Sequence, residues 1–162
     1  MPHLPPSPQL LIGRLASPSV GVRVEALREL RRHGEAARVA VPQLVAALDD
    51  DTVWRLATTP DFDGQWRELF ATPSEAAVLA LAAIAPGAAV ERVAAAVARL
   101  HGHTTQLSHG NAEPPLAERR RWSAESLAPF GPELLAALRA LTAAPDDALR
   151  AGAAAVLAEL SR

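Results

Sequence analysis

The sequence carries the same pattern near its two ends, and this repetition limits the folds that it can adopt. Residues 18–30 read PSVGVRVEALREL, and residues 145–160 read PDDALRAGAAAVLAEL. In both copies a proline precedes an arginine (Arg23 and Arg150) by five positions, and an alanine and a leucine follow that arginine by three and seven positions. These spacings place side chains on one face of an α-helix. The pattern therefore predicts a chain built from repeated helical units.

The first helix of each predicted pair has a repeated pattern of its own. PQLVAAL at 42–48 and PELLAAL at 132–138 agree almost residue for residue, and PQLLIGRL at 8–15 is a looser copy. A helix pair of roughly 40 residues that stacks on its like is typical of a helical solenoid. A chain of 162 residues accommodates about four such units. The sequence therefore predicts a single domain of stacked helical hairpins.

Composition and spacing favour helices along the chain. Aromatic residues make up only 4% of the sequence, and Ala and Leu recur at helical spacing without the alternation of a β-strand. Proline and small polar residues stand at the predicted helix starts, and glycines stand in the breaks. The sequence therefore predicts an all-α fold without strands. The predicted helices span roughly 8–16, 20–32, 37–48, 74–85, 88–101, 115–128, 132–143 and 146–160.

The repeated unit resembles the HEAT-repeat family. In that family the second helix of a unit begins after an acidic or proline-containing turn, continues with a Val-Arg pair, and then has Ala and Leu at the offsets given above. Val22-Arg23 and Leu149-Arg150 match this pattern best. The resemblance implies a right-handed solenoid of helical hairpins that occupies residues 1–162 as one domain.

The resemblance also implies a structural role for one arginine in a unit. In the family this arginine usually bonds a carboxylate or a carbonyl of a neighbouring turn, because stacked units need polar anchors. Arg23, Arg120 and Arg150 occupy the position here, while Ala77 stands where the second unit would have its arginine. These three arginines are therefore expected to stabilise the repeats. The units span about 8–33, 37–86, 88–129 and 131–161.

Two insertions interrupt the predicted units, at about 49–73 and 102–114. Each falls between the first and second helix of its unit, so both are expected at the same edge of the solenoid, on neighbouring units. Insertions on one side of a repeat protein often build its binding face. An alternative stays open for the first insertion. FATPSEAA at 70–77 resembles LASPSVGV at 15–22, so residues 50–73 would then form a degenerate fifth repeat.

Aromatic residues concentrate in the first insertion. It contains Trp54, Phe62, Trp66 and Phe70, in a chain with only three Trp and three Phe. Trp54, Phe62 and Trp66 are candidate binding residues, because large aromatic side chains dominate protein-binding hot spots. In the alternative interpretation, Trp66 and Phe70 lie on one side of a short helix that covers the solenoid core.

Histidines and aspartates in and near the insertions raise the question of a metal site. The imidazoles of His101, His103 and His109 are of a type that binds zinc or copper. Their spacing lacks the fixed helical arrangement of a preformed site, so a solvated polar loop is the alternative, and no metal or cofactor is predicted. His103 and His109 are candidate binding residues beside the aromatic side chains. The acidic residues that a metal site would recruit are Asp49, Asp50, Asp51, Asp61 and Asp63.

The basic residues are all arginines, and six of the 16 lie in two runs. One run is RRRW at 119–122, and the other includes Arg28, which is expected on the concave inner face of the solenoid and is a candidate binding residue there. The runs would form either a phosphate-binding stripe or a solvated helix face, with Glu25 and Glu29 as ion-pair partners of the second run. The formal net charge of −2 disfavours nucleic acid as a partner.

The sequence contains no recognisable motif for catalysis. It lacks cysteine, a Gly-rich phosphate loop and a GxSxG nucleophile motif. Some HEAT-like proteins are DNA glycosylases that use Trp and Asp in a basic groove, so a nucleic-acid-binding or glycosylase-like protein is the alternative. No membrane span or secretory signal is predicted, and basic residues that are all Arg are typical of a GC-rich bacterial genome. We therefore predict a cytoplasmic, non-catalytic scaffold module that binds another protein and is not an enzyme.

Overall fold

A computed structural model of the chain describes residues 5–56, 67–101, 106–108 and 122–162, and for residues 55, 56, 67–70 and 106–108 it describes the backbone alone. The described residues form mainly helices, as predicted. The α-helices are α1 (Pro8–Arg14), α2 (Val20–His33), α3 (Val41–Ala47), α4 (Pro73–Ile84), α5 (Val90–His101), α6 (Ala124–Leu127), α7 (Pro132–Leu141) and α8 (Asp147–Leu160). The 3-10 helices Gly34–Ala40 and Ala128–Phe130 precede α3 and α7.

Local sequence explains where several helices begin. At three helix starts the side-chain oxygen of the preceding residue accepts a hydrogen bond from a backbone N–H of the first turn. These residues are Ser7 before α1, Thr72 before α4 and Asp146 before α8. Before α6, Ser123 and Ser126 bond each other's backbone N–H groups in a reciprocal cap. These bonds satisfy N–H groups that have no partner within the helix. The two segments with similar sequence, 15–22 and 70–77, begin their helices at different positions: α4 begins at Pro73, whereas α2 begins at Val20, two residues later in the alignment, and its N-cap Ser19 makes no side-chain capping bond.

Helices that are consecutive in the chain pack against each other, and so do helices that are not consecutive. α1 lies against α2, α3 against α4 and α7 against α8, while α2 also packs on α4 and α5 packs on α7 and α8. Leu27 and Leu30 of α2, Leu81 of α4 and Leu138 of α7 have no exposed surface. Burying such a side chain stabilises the fold by about 1.5–3 kcal/mol. Within the described residues three consecutive helix pairs are therefore in contact, and the four-unit solenoid stays a prediction because the expected partner of α5, residues 115–128, is described only from residue 122.

The last residue of the RRRW run lies in the core. The Trp122 side chain is 2% exposed, and its indole N–H donates a hydrogen bond to the backbone carbonyl of Val97 in α5 at 3.2 Å. Both interpretations of this run, a solvated helix face and a phosphate-binding stripe, concern its arginines. The three arginines before it lie outside the described residues, so the run's basic part has no structural description.

A small antiparallel sheet joins the two insertions. Its strands are β1 (Trp54–Leu56), β2 (Arg67–Ala71) and β3 (Gln106–Ser108), in the order β1-β2-β3. Trp54 is opposite Ala71, and Arg67 is opposite Ser108. The segment considered for a short helix at Trp66 and Phe70 is thus a strand from Arg67 onward. Sequence periodicity did not indicate these strands, because runs of three to five residues are too short for an alternation to register.

α5 and α8 approach closely where Gly152 of α8 faces Ala98 of α5. A Cβ atom placed on Gly152 would lie 2.0 Å from the backbone carbonyl oxygen of Ala98, a distance at which backbone atoms must move. Ala98 is 1% exposed and Ala153, next to Gly152, is fully buried. Small residues on both helices therefore set the distance between their axes.

We expect the Gly152→Ala substitution to lower the free energy of unfolding by roughly 1–3 kcal/mol, because the added methyl group overpacks the α5–α8 contact. The matched control is Gly13→Ala in α1, where no heavy atom lies within 4 Å of the new Cβ. That change should be neutral or stabilise the protein by up to about 1 kcal/mol through helix propensity. Urea denaturation of both variants measures the difference, and equal effects would contradict the close approach.

Candidate functional site

Polar side chains gather where the chain leaves α3, at residues 49–51. One carboxylate oxygen of Asp50 accepts a hydrogen bond from Nε of Arg23 in α2 at 2.8 Å, and the other accepts one from the backbone N–H of Thr52 at 3.2 Å. The Arg23 side chain is 17% exposed and that of Asp50 is 26% exposed. This partly buried ion pair ties the beginning of α2 to the turn that follows α3.

Asp51 connects the same turn to α4 and α5. Its carboxylate accepts a hydrogen bond from the Ser74 hydroxyl at 2.6 Å and one from Nε of Arg99 at 2.6 Å. The Arg99 guanidinium also donates to the backbone carbonyl of Leu48 at 2.7 Å. Hydrogen bonds with a charged donor and acceptor are the stronger kind in proteins. Asp51 therefore holds the first turn of α4 and the last turn of α5 against the end of α3.

The third aspartate of the run, Asp49, pairs with Arg92 of α5 at 2.5 Å, and both side chains are about half exposed or more, so solvent screens this pair. We call Asp49, Asp50 and Asp51, with their arginine partners, the aspartate junction. Each aspartate that the sequence analysis considered for a metal site at this position has an arginine partner. Among the residues that the structure describes, no group of three or more His, Cys, Asp or Glu side chains is placed to hold a metal ion.

The environment of Asp50 favours its charged form. Burial alone would raise the pKa of the Asp50 carboxyl, but the hydrogen bonds from Thr52 and from the Arg23 guanidinium, with the positive charge of Arg23, outweigh it and lower that pKa below its ordinary value. A carboxyl group with a lowered folded-state pKa contributes stability above its unfolded-state pKa. That contribution is lost as the pH falls through the folded-state pKa.

We expect the Asp50→Asn variant to be less stable than the wild type by roughly 1 kcal/mol or more at neutral pH and to lose less stability on acidification. The reason is that the wild type must protonate Asp50 against its lowered pKa, and the variant has no charge to lose there. Denaturation midpoints measured from about pH 7 to about pH 2 test this. Asp49→Asn, in the solvent-screened pair, is the control and should follow the wild-type profile. A wild-type profile for Asp50→Asn would contradict the assignment.

The two arginines of the terminal sequence repeats make the same local hydrogen bond. Nη1 of Arg23 donates to the backbone carbonyl of Ser17 at 2.8 Å, and Nη1 of Arg150 donates to that of Ala144 at 2.8 Å. Both acceptors immediately precede the proline of the repeat. Arg150 also pairs with the carboxylate of Asp147. In each repeat the arginine thus closes the turn that leads into its own helix, while Arg120 lies outside the described residues.

Trp54 begins β1 and lies against α2. A Cβ atom placed on Gly21 of α2 would lie 2.9 Å from two atoms of the indole ring, so glycine at this position permits the contact. The guanidinium carbon of Arg28 lies 5.8 Å from the centroid of the ring, within the range of a cation–π interaction. Gly21 and Arg28 are two helical turns apart on one face of α2. The indole is partly buried and contacts the core.

The structure brings together two candidate residues that the sequence analysis assigned to different surfaces. Trp54 was expected at the inserted edge and Arg28 on the concave face, but the two side chains are in contact. The other candidate binding residues, Phe62, Trp66, His103 and His109, lie outside the described residues. Gly21 is a contributor that the sequence analysis did not identify. A glycine within a helix is the signal that could have found it, because such a glycine often marks a close approach.

A small groove between α2 and α4 adjoins Trp54. It has a volume of about 110 Å³ and is lined by Arg28 and Arg31 from α2 and by Glu75 from α4. The remaining lining residues are mostly small or aliphatic, namely Val24, Ala71, Thr72, Ala76 and Leu79. We call Gly21, Arg28, Arg31 and Trp54, with this groove, the Trp54 surface.

Several of the described polar side chains interact with other groups of the chain. The aspartates and arginines of the junction are engaged with one another. His33 bonds the backbone carbonyl of Pro6 at 2.9 Å, and the His101 imidazole lies 4.0 Å from the Glu159 carboxylate between the ends of α5 and α8. The Trp54 surface instead presents an aromatic ring, guanidinium groups and an apolar groove side by side, which is the mixture found at protein-binding hot spots.

Comparisons of the chain with protein-family models, with curated proteins and with solved structures found no match. Within the described ranges, no helix has the length and the apolar character needed to cross a membrane. The functional conclusion therefore depends on the geometry of the chain itself.

Proposed function

We propose that this chain is a non-catalytic protein-binding module, a HEAT-like scaffold of the cytoplasm, and that the Trp54 surface is its binding face. The observation that supports the proposal is the fixed position of a partly exposed tryptophan. Gly21 lets the indole lie on α2, and Arg28 lies over the ring, so the side chain is held before a partner arrives. Binding to a rigid side chain costs less conformational entropy than ordering a mobile one.

The charge pattern of α2 supports a protein partner over nucleic acid. Arg28 pairs with Glu25 at 3.3 Å, and Arg32 pairs with Glu29. Nonspecific nucleic-acid binding needs a continuous row of cations that neutralises several phosphates, and acidic residues interrupt the row on this helix. A glycosylase-like activity would need a basic groove of the same kind, so the pattern gives it no support.

We expect Trp54→Ala to weaken capture of the natural protein partner by about thirtyfold, equivalent to the ~2 kcal/mol lost at a hot spot. The partner is first identified by affinity capture from native cytoplasm with the wild-type chain, and affinities are then measured by calorimetry with the purified partner. The matched control is Val39→Ala, which truncates a side chain that is 55% exposed on the 3-10 helix before α3. This variant should bind normally.

Circular dichroism of the Trp54→Ala variant, measured in parallel, tests whether the variant keeps its helices. A folded Trp54→Ala variant that binds the partner with wild-type affinity would contradict the proposal, and so would a Val39→Ala variant that loses binding to the same extent.

A further inference from the structure

We infer that the Trp54 surface binds an acidic peptide segment of its partner, in which an aliphatic side chain stands among carboxylates. This inference rests on the proposed function and specifies the chemistry of the partner. Its basis is the arrangement of guanidinium groups and apolar surface on one face of α2.

Arg28 and Arg31 supply the positive charge. They are three residues apart on α2 and therefore neighbours on its surface, and both line the groove. Arg28 is 43% exposed, and its pair with Glu25 is long at 3.3 Å with a half-exposed acid, so a competing carboxylate displaces it at little cost. Arg31 is exposed and has no ion-pair partner within the described part of the chain. Both guanidinium groups can therefore bind a carboxylate from outside.

Neither acidic neighbour in the described part of the chain forms an ion pair with Arg31. Glu25 pairs with Arg28, and a carboxylate of the ligand can replace it. Glu75 lines the opposite wall of the groove in the first turn of α4, where the helix dipole stabilises a negative charge, and it has an interaction of its own. Arg31 therefore remains as the cation that an incoming carboxylate can pair with, and Arg28 beside it offers further N–H donors.

The groove limits the size of the apolar part of the ligand. Its volume of about 110 Å³ corresponds to only a few water molecules, which suits one aliphatic side chain. Of the apolar lining residues, Val24 is fully buried and Ala76 is 9% exposed, so Leu79 supplies most of the apolar surface that a ligand can contact. A ligand with one aliphatic residue between acidic residues would therefore place its apolar group in the groove and its carboxylates beside Arg28 and Arg31, with Trp54 flanking the segment.

The test uses the full chain labelled with nitrogen-15 and three peptides in nuclear magnetic resonance titrations. The probe is Glu-Glu-Leu-Glu-Glu, the charge control is Gln-Gln-Leu-Gln-Gln, and the apolar control is Glu-Glu-Gly-Glu-Glu. The indole N–H signal of Trp54, assigned with a Trp54→Phe variant, should shift with the probe, while that of buried Trp122 should not. Each control peptide should bind about tenfold more weakly than the probe.

The protein variants are Arg28→Gln and Arg31→Gln, with Arg14→Gln as the control because Arg14 is exposed at the end of α1. We expect about a tenfold loss of probe affinity for each of the first two and none for Arg14→Gln. Equal binding of the two Leu-containing peptides, or an equal loss with Arg14→Gln, would overturn the inference. Tighter binding of short oligo-deoxythymidine through Arg28 and Arg31 would also overturn it and would indicate nucleic acid.

The result separates this inference from the proposed function. If capture of the natural partner depends on Trp54 while Arg28→Gln and Arg31→Gln bind that partner with wild-type affinity, the acidic ligand is wrong and the protein-binding module stands. If Trp54→Ala has no effect on capture, the proposed function is wrong, and the inference that rests on it is wrong as well.

Discussion

The ion pairs of the aspartate junction are the interaction on which the relative positions of the helices depend. Asp50 and Asp51 bond arginines that lie 27 and 48 residues away in the sequence, so a two-residue segment connects α2, α4 and α5. Removing one partner of a partly buried pair takes away the charged partner of the other group, which costs more than the pair itself contributes. The junction therefore connects α2, α4 and α5 to the turn that follows α3, and apolar packing such as the α5–α8 contact stabilises the same arrangement.

The position of the proposed binding face depends on the same junction. Trp54 follows Asp51 by three residues, and the backbone of Thr52 between them is bonded to Asp50, so the chain has little freedom before it reaches the tryptophan. Gly21 then determines how close the indole comes to α2. Because Arg23 of the junction is on the same helix as Gly21 and Arg28, one helix both anchors the turn and presents the Trp54 surface.

The sequence predicted the features that depend on the spacing of nearby residues. It could not predict the contacts between residues that are far apart in the chain. Helix positions and the repeated arginines follow from periodicity and from proline, and Arg23 and Arg150 make matching bonds at matching positions. The pairing of Asp51 with Arg99 carries no local signal, because the sequence alone does not indicate which arginine pairs with which aspartate. The contact of Trp54 with Arg28 and the burial of Trp122 against Val97 were missed for the same reason, since both depend on how separate segments pack.

A double-mutant cycle on Arg99 and Asp51 tests the central role of the junction most directly. The free energy of unfolding is measured for the wild type, Arg99→Ala, Asp51→Ala and the double variant. A structural junction predicts a coupling energy of about 1 kcal/mol or more, because each single change removes the charged partner of the other group. It also predicts that the Trp54 indole N–H signal shifts in both single variants. A coupling energy near zero with an unchanged Trp54 signal would show that the pair is an incidental surface contact and would contradict the account.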